Sequence, residues 1–340
     1  MKRLHWIPGF LALIALAACA ASAPVDEQAA QERFPADRFL TAEASGSSEG
    51  EAKRAAMAEL AAIFEARVQA RTLQQATSWT GEGLPEQFER QVEQSVRILT
   101  QVQLEGARIG RVWPDETTGG FRALAVLDRR QAAGRWQREL AETQLEIDAQ
   151  VAALETVNGR LSRLATLNRV TGLMLREAVL ESRLSVLGRP ATPAVEDRSD
   201  IIAQRERLSR EIALFVDLEG NPAPPFTHRL NALLASDGYR LTPYREQAAG
   251  LITGSIHVQP LDLGNPDVHF IRATAAVKLL DTDTDAQLAA FDETLRKGHI
   301  NEGEAARQSV EGVAARVADR LAQALGTLGV ATEADTPREW

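Results

Sequence analysis

The chain is poor in the groups that do most protein chemistry. It holds one cysteine, Cys19, in 340 residues. That leaves no partner for an internal disulfide and no thiolate cluster for a metal. Once residues 1–18 are set aside as a leader, four histidines remain: His228, His257, His269 and His299. None has another histidine three or four residues away, so no helical metal site is written in the spacing. His257 and His269 fall on neighbouring strand-like segments, where the plainer reading is two strand residues facing solvent or a helix. Nucleophile elbow, phosphate loop, dinucleotide fingerprint and HExxH are all missing. No catalytic and no metal residue is therefore assigned. Excess positive charge is missing too. A net charge of -9 argues against nucleic acid, whose phosphates would be repelled. By the same logic it argues against a broad basic face on anionic lipid.

What is present begins at the N-terminus. Met1, Lys2 and Arg3 form a basic start, and an apolar run from Ile7 to Leu16 follows. The run is too short to cross a bilayer and suits the core of a signal peptide. Leu16-Ala17-Ala18-Cys19 then resembles the lipobox of bacterial lipoproteins. Such a motif implies cleavage before Cys19, a diacylglycerol on its sulfur and a further acyl chain on its amine. A lipidated sulfur cannot misoxidise, which accounts for a lone cysteine in an exported chain. Several acyl chains give stable anchoring, at about 0.8 kcal/mol per buried CH₂. The alternative is an ordinary signal peptide cut near Ala21 or Ala23. Ala20, with no Asp after the cysteine, fits sorting to the outer membrane, the domain facing the periplasm.

Composition and periodicity divide the rest. Residues 19–37 read as the lipidated cysteine and a disordered tether, rich in Ala, Glu and Gln. Residues 38–128 read as an α+β unit. A strand near Phe39 is followed by the Ser45-Gly46-Ser47-Ser48 turn. Ser48 and Glu51 then make a capping box for a helix with Met57, Leu60, Phe64 and Val68 on one face. Thr77 to Gly83 reads as loop. A second helix opens at Pro85 with Phe88, Val92, Val96 and Leu99 inward. A hairpin pairs strands near Arg108–Trp113 and Phe121–Leu127.

Residues 129–187 read as a helical hairpin or coiled coil. Leu140, Ile147, Leu154 and Leu161 fall seven apart, and Asn158-Gly159 suits an αL helix end between two helices. With Trp136 near its start, the stripe forms the candidate partner surface if it is exposed; packing inside the molecule is the plainer alternative. Residues 188–209 read as a linker and short helix, 210–328 as a second α+β unit, and 329–340 as a loose tail. In the second unit, Ile212–Val216 is a buried strand, 225–236 a helix with Phe226, Leu230 and Leu233 inward, and three strands form a meander before a closing helix. Glu49-Gly50-Glu51-Ala52 with Arg54 is echoed by Glu302-Gly303-Glu304-Ala305 with Arg307, each at a helix start. Asp281, Asp283 and Asp285 imitate the opening of a calcium loop. Ala286 stands where the sharp turn needs glycine, so a polar hairpin turn is the better reading.

The stretch Phe39-Leu40-Thr41-Ala42 through Gly46-Ser47-Ser48 and Glu51-Ala52-Lys53-Arg54-Ala55, continuing to Val68, resembles the LPP-twenty family of outer-membrane lipoproteins. The family's usual Val-Gly is replaced by Glu43-Ala44. The second α+β unit is similar in element order to the small modules of the TolB N-terminal domain and the curli secretion lipoprotein. These resemblances imply an α+β fold of two small sandwich-like units and a structural or assembly role in the envelope. The partners implied are the membrane, other envelope proteins and further copies of the chain, and the lipid on Cys19 is the only attached group. A periplasmic module binding a glycan or small ligand is the rival reading, and a hydrolase without a signature is a third.

Overall fold

A computed structural model describes residues 33–79, 86–100, 104–190, 192, 198–264 and 267–326. The fold is mixed α+β with two sheets. In the first sheet β1 (Phe39–Gly46), β2 (Arg108–Pro114) and β3 (Phe121–Asp128) run antiparallel in the order β1-β3-β2. Alternation puts Leu40, Ala42, Ala123, Ala125 and Leu127 on one face. Helix α1 (Glu49–Trp79) lays Ala52, Ala56, Leu60, Phe64 and Val68 against them. Its start is built much as the capping box predicts. The Glu51 N–H donates to Ser48 Oγ at 3.3 Å, and the Glu51 carboxylate accepts from the Ser47 N–H at 2.8 Å, one residue earlier than the motif requires.

Helix α1 does not stop at Thr77. It runs on to Trp79, because Ala76 and Trp79 are buried in a central apolar core. The hydroxyls expected to break it instead donate to helix carbonyls, Thr77 Oγ1 to Leu73 and Ser78 Oγ to Gln75. Helix α2 (Glu86–Thr100) buries Val92 and Val96 as its pattern requires. Pro85 and the side chain of Phe88 lie outside the described residues.

The hairpin expected over 129–187 forms, as α3 (Arg129–Thr156) and α4 (Arg160–Val186). Asp128 caps α3, its carboxylate accepting from the Arg130 and Gln131 N–H groups. The break differs in detail from an αL end. Val157 is extended, and Gly159 at φ 90, ψ 138 is the N-cap of α4, a conformation that favours glycine.

Helix α4 is the spine of the molecule. Of its 27 residues 18 are buried, so it has no solvent stripe of the usual width. Leu161 and Leu164 enter the core of the second sheet. Leu167, Val170, Met174 and Ala178 belong to the central core. Val179, Leu180 and Leu184 enter the core of the first sheet. The short helix expected within 188–209 is α5 (Arg198–Glu211), which packs on α4 through Ile201 and Ile202.

The second sheet has the order β4-β5-β6-β7, from β4 (Leu214–Asn221), β5 (Gly250–Leu261), β6 (His269–Asp281) and β7 (Gln287–His299). β4 is parallel to β5, joined by α6 (Ala223–Ser236), and the rest is the predicted antiparallel meander. The buried run at Ile212 and Ala213 precedes the strand, which extends to Asn221. In α6 the stripe is Phe226, Leu230 and Leu234, at strict i,i+4 spacing; Leu233 is only partly buried. Helix α7 (Glu302–Ala324) closes the same face with Val310, Val313, Val317 and Leu321. The sequence echo marks equivalent positions: Ser48 and Asn301 each accept from an N–H three residues on, and Ala52 and Ala305 are each wholly buried.

Candidate functional site

Cys19 and the lipobox residues Leu16, Ala17 and Ala18 lie outside the described residues. The candidate partner surface is a correction. Trp136, Leu140, Ile147, Leu154 and Leu161 are between 0% and 7% exposed, so the stripe forms no outward seam. Trp136 stacks on Phe64 at 5.3 Å beneath the first sheet, Ile147 and Leu154 fill the central core, and Leu161 fills the second. The heptad spacing arises because α3 and α4 pack along each other while α1, α5 and both sheets close around them.

The most unusual chemistry is buried beside that core. On α4, Glu177 and Glu181 are one turn apart on an otherwise apolar face. Arg198, the first residue of α5, donates from one nitrogen to Glu177 at 2.5 Å and to Glu181 at 3.3 Å. Its guanidinium lies 4.5 Å from the centre of the Trp79 ring. Gln144 donates to Glu177 at 2.9 Å and Gln75 to Glu181 at 2.5 Å. Four helices thus meet at one ionic cluster. Burial is the main influence on Glu181 and pushes its carboxyl above the usual range. Among the described residues Arg198 Nε and Nη1 have no hydrogen-bond partner. Midway along α5, Arg205 donates to Asn168 at 2.8 Å and pairs with Glu206, while Asn168 donates to the Leu325 carbonyl at 2.8 Å. Arg183 is packed over Trp136 and donates to the Leu99 carbonyl; burial brings it down to about 10. These groups clamp helices together, and charges inside an apolar helix stripe were the signal available for them in the sequence.

The aspartates of the imitation calcium loop have another task. Gly159 has no side chain to cap α4, and the β6–β7 turn supplies the caps from outside. Asp281 accepts from the Ser162 N–H at 2.8 Å and its hydroxyl at 2.7 Å. Asp283 accepts from the Arg160 N–H at 2.9 Å and from its guanidinium at 2.8 Å twice. Carboxylates at a helix N-terminus satisfy otherwise orphaned donors and complement the dipole. The Arg160 bonds hold Asp283 down at about 2. Among the described residues no group of three or more His, Cys, Asp or Glu is placed to hold a metal. His257 faces Thr274 across the β5–β6 ladder, while His269 faces His299 on β7, so the two histidines singled out by sequence are not opposed.

An open groove of about 480 Å³ lies between α4 and α5, lined by Arg163, Asp200, Gln204, Arg207 and Glu211 with Leu167 and Leu208 at its floor. Among the described residues no helix is long and apolar enough to cross a membrane.

No family model matches the chain, and no curated protein matches it. Solved structures overlap with it in part. A secreted protein of Helicobacter pylori is 14% identical, covering 84% of this chain and 98% of its own, with a TM-score of 0.33. A minor lipoprotein of Acinetobacter baumannii is 12% identical over 33% of this chain and 92% of its own, TM-score 0.29. A lipoprotein of Neisseria meningitidis is 13% identical over 33% and 99%, TM-score 0.24. At this level of overlap nothing about the role of this chain follows.

Proposed function

We propose that the protein is an outer-membrane lipoprotein, anchored through acyl chains on Cys19, with a non-catalytic scaffold role in the envelope. The observation that carries the anchor is Leu16-Ala17-Ala18-Cys19 in a chain with no other cysteine. The likeness of residues 39–68 to the LPP-twenty lipoproteins points the same way. The scaffold role is supported by α4, a helix of about 40 Å whose two ends are built into different sheets. A spine of that kind holds two surfaces at a set separation. Partners would meet the sheets and outer helix faces rather than the leucine stripe. Cys19→Ser tests the anchor: labelled fatty acid should no longer enter the protein, and it should leave the detergent phase on phase separation. Unchanged acylation would refute the anchor. Crosslinking in intact cells should then capture a defined envelope partner or a second copy.

A second reading, a module binding a small polar ligand, is favoured by the groove between α4 and α5. Its volume falls in the range of small-molecule sites. Arg163→Ala with Arg207→Ala should abolish any ligand-dependent rise in melting temperature found in a screen of envelope sugars and peptides.

A further inference from the structure

The outer face of the first sheet, opposite α1 and α3, is built unlike the rest of the surface. Phe34, Phe39, Trp113, Leu124 and Val126 form a small apolar cluster on it. Phe34 reaches it because Gly110, at the β2 bulge, leaves room for the ring; a Cβ there would lie 2.9 Å from the ring carbons. Five arginines surround this cluster, each over an aromatic ring. Arg33 and Arg108 lie 5.8 and 5.7 Å from the centre of Phe34. Arg38 lies 5.1 Å from Phe39, and Arg111 and Arg122 lie 5.7 and 6.0 Å from Trp113. Glu43 pairs with Arg122, and Asp128 with Arg38 at 3.3 Å. Asp115 also lies close enough to Arg122 to feel its charge. Five guanidiniums still gather on this one face, in a chain whose net charge is -9. No lysine takes part. A guanidinium held over an aromatic ring can still offer its edge donors to phosphate oxygens. Arg38 and Arg122 already spend part of theirs on Asp128 and Glu43, so Arg33 and Arg108 are the pair tested below.

The position of the face matters as much as its charge. Arg33 and Phe34 open the described chain, and Cys19 precedes Arg33 by 14 residues. Such a length spans at most about 50 Å. A membrane holding Cys19 therefore confines this face within reach of its headgroups. We infer that the arginine-ringed face of the first sheet docks on the phosphate headgroups of an anionic phospholipid surface. The acyl chains hold the protein, and the face sets its orientation, turning the helical side of the sheet away from the bilayer. The inference rests on the proposed anchor for its biological setting, and on the face alone for its chemistry.

The test uses the whole mature chain carrying Cys19→Ser, which has no lipid, so the outcome does not depend on whether Cys19 is acylated in cells. It should co-sediment with vesicles of phosphatidylcholine mixed with phosphatidylglycerol, release as salt is raised, and ignore vesicles of phosphatidylcholine alone. Arg33→Glu with Arg108→Glu should weaken binding by at least about tenfold, since each basic residue near such a surface is worth about 1 kcal/mol. Arg33→Lys with Arg108→Lys, in the same background, should keep most of it. Both double variants change exposed positions, and an unchanged melting temperature confirms the fold. Equal binding to neutral and anionic vesicles, no binding to either, or full binding by the glutamate variant would overturn the proposal. So would displacement by soluble dextran sulfate with no preference for the vesicle, which would make the face a site for soluble polyanions.

Discussion

The two sheets share one helix and differ in their uncovered faces. The first carries buried aromatics under arginines. The second carries Thr253, Ser255, Thr274 and Thr294, with Asp217, Glu219 and Asp292 set against Lys278, Arg272 and Arg296. Thr274 and Thr294 meet across the β6–β7 ladder at 3.1 Å. One face is basic and one is balanced, although the chain as a whole is acidic. Net charge therefore describes solubility here and misdescribes the surface. Net charge averages over the molecule, and strand pairing within the first sheet is what gathers the arginines on one face.

Through α4 both sheets should unfold as one cooperative body. The severest challenge is Ile147→Asp, Leu154→Asp and Leu161→Asp together, three carboxylates placed in two cores. The protein should lose its folded circular dichroism outright. A folded chain of lower mass would restore the outward seam. Next in size, Arg198→Met takes the guanidinium away from the buried Glu177 and Glu181. Breaking a buried pair on one side costs about 3–5 kcal/mol. Denaturant unfolding should show that loss, with a change in Trp79 emission; a loss under 1 kcal/mol would mean the cluster is solvated in solution.

Leu184→Ala cuts the first core and Leu161→Ala the second, each at a wholly buried site. Each should cost about 2–5 kcal/mol. If α4 couples the sheets, calorimetry will show one transition that both variants lower. Two transitions, each moved by only one variant, would make the sheets independent and α4 a mere connector.

Much of this was legible beforehand. The strand–turn–helix at Phe39–Val68, the β2–β3 hairpin, the meander and the closing helix each follow local rules of alternation, capping and 3.6 periodicity. The leucine stripe is legible, but its covering is not: periodicity reports that a face is apolar, and the choice between the plainer internal packing and an exposed seam waits on the fold. A short helix is expected within 188–209, but nothing local marks the arginines of α5 as buried: only contact with Glu177 and Asn168 gives Arg198 and Arg205 their partners. The arginine face was illegible, since Arg33, Arg38, Arg108 and Arg122 are far apart until β1, β2 and β3 pair. The proposal for Cys19 rests on its motif alone.

A smaller effect tests the join between α4 and the second sheet. Gly159→Ala would force a side chain into a φ of 90° and into the Asp281 carboxylate. Strain and loss of the cap together should cost about 2–3 kcal/mol, read by chemical denaturation. If alanine is tolerated, the β6–β7 turn does not clamp α4.

The smallest effects concern Asp283. Its pKa is lowered in the folded protein, chiefly by the Arg160 side chain, from an ordinary 3.8 to about 2. A carboxyl held down on folding adds stability above its unfolded pKa and loses it as pH falls through the folded one. The contribution should therefore be complete above pH ~4 and fade towards pH ~2. Arg160 is 47% exposed, so solvent screening limits the gain to about 1 kcal/mol. Asp283→Asn should be less stable than the parent at pH ~7 by that amount, and the two should converge near pH ~2. Calcium should move neither protein. The oxygens that a cation would need are already accepting from the amides of Arg160 and Ser162, and displacing those bonds would uncap α4. Melting curves with millimolar calcium and with chelator should coincide. A rise of several degrees in calcium, lost in Asp283→Asn, would mean that the turn trades its helix for a cation, and that the second sheet, unlike the first, is held to the spine by a ligand-sensitive clasp.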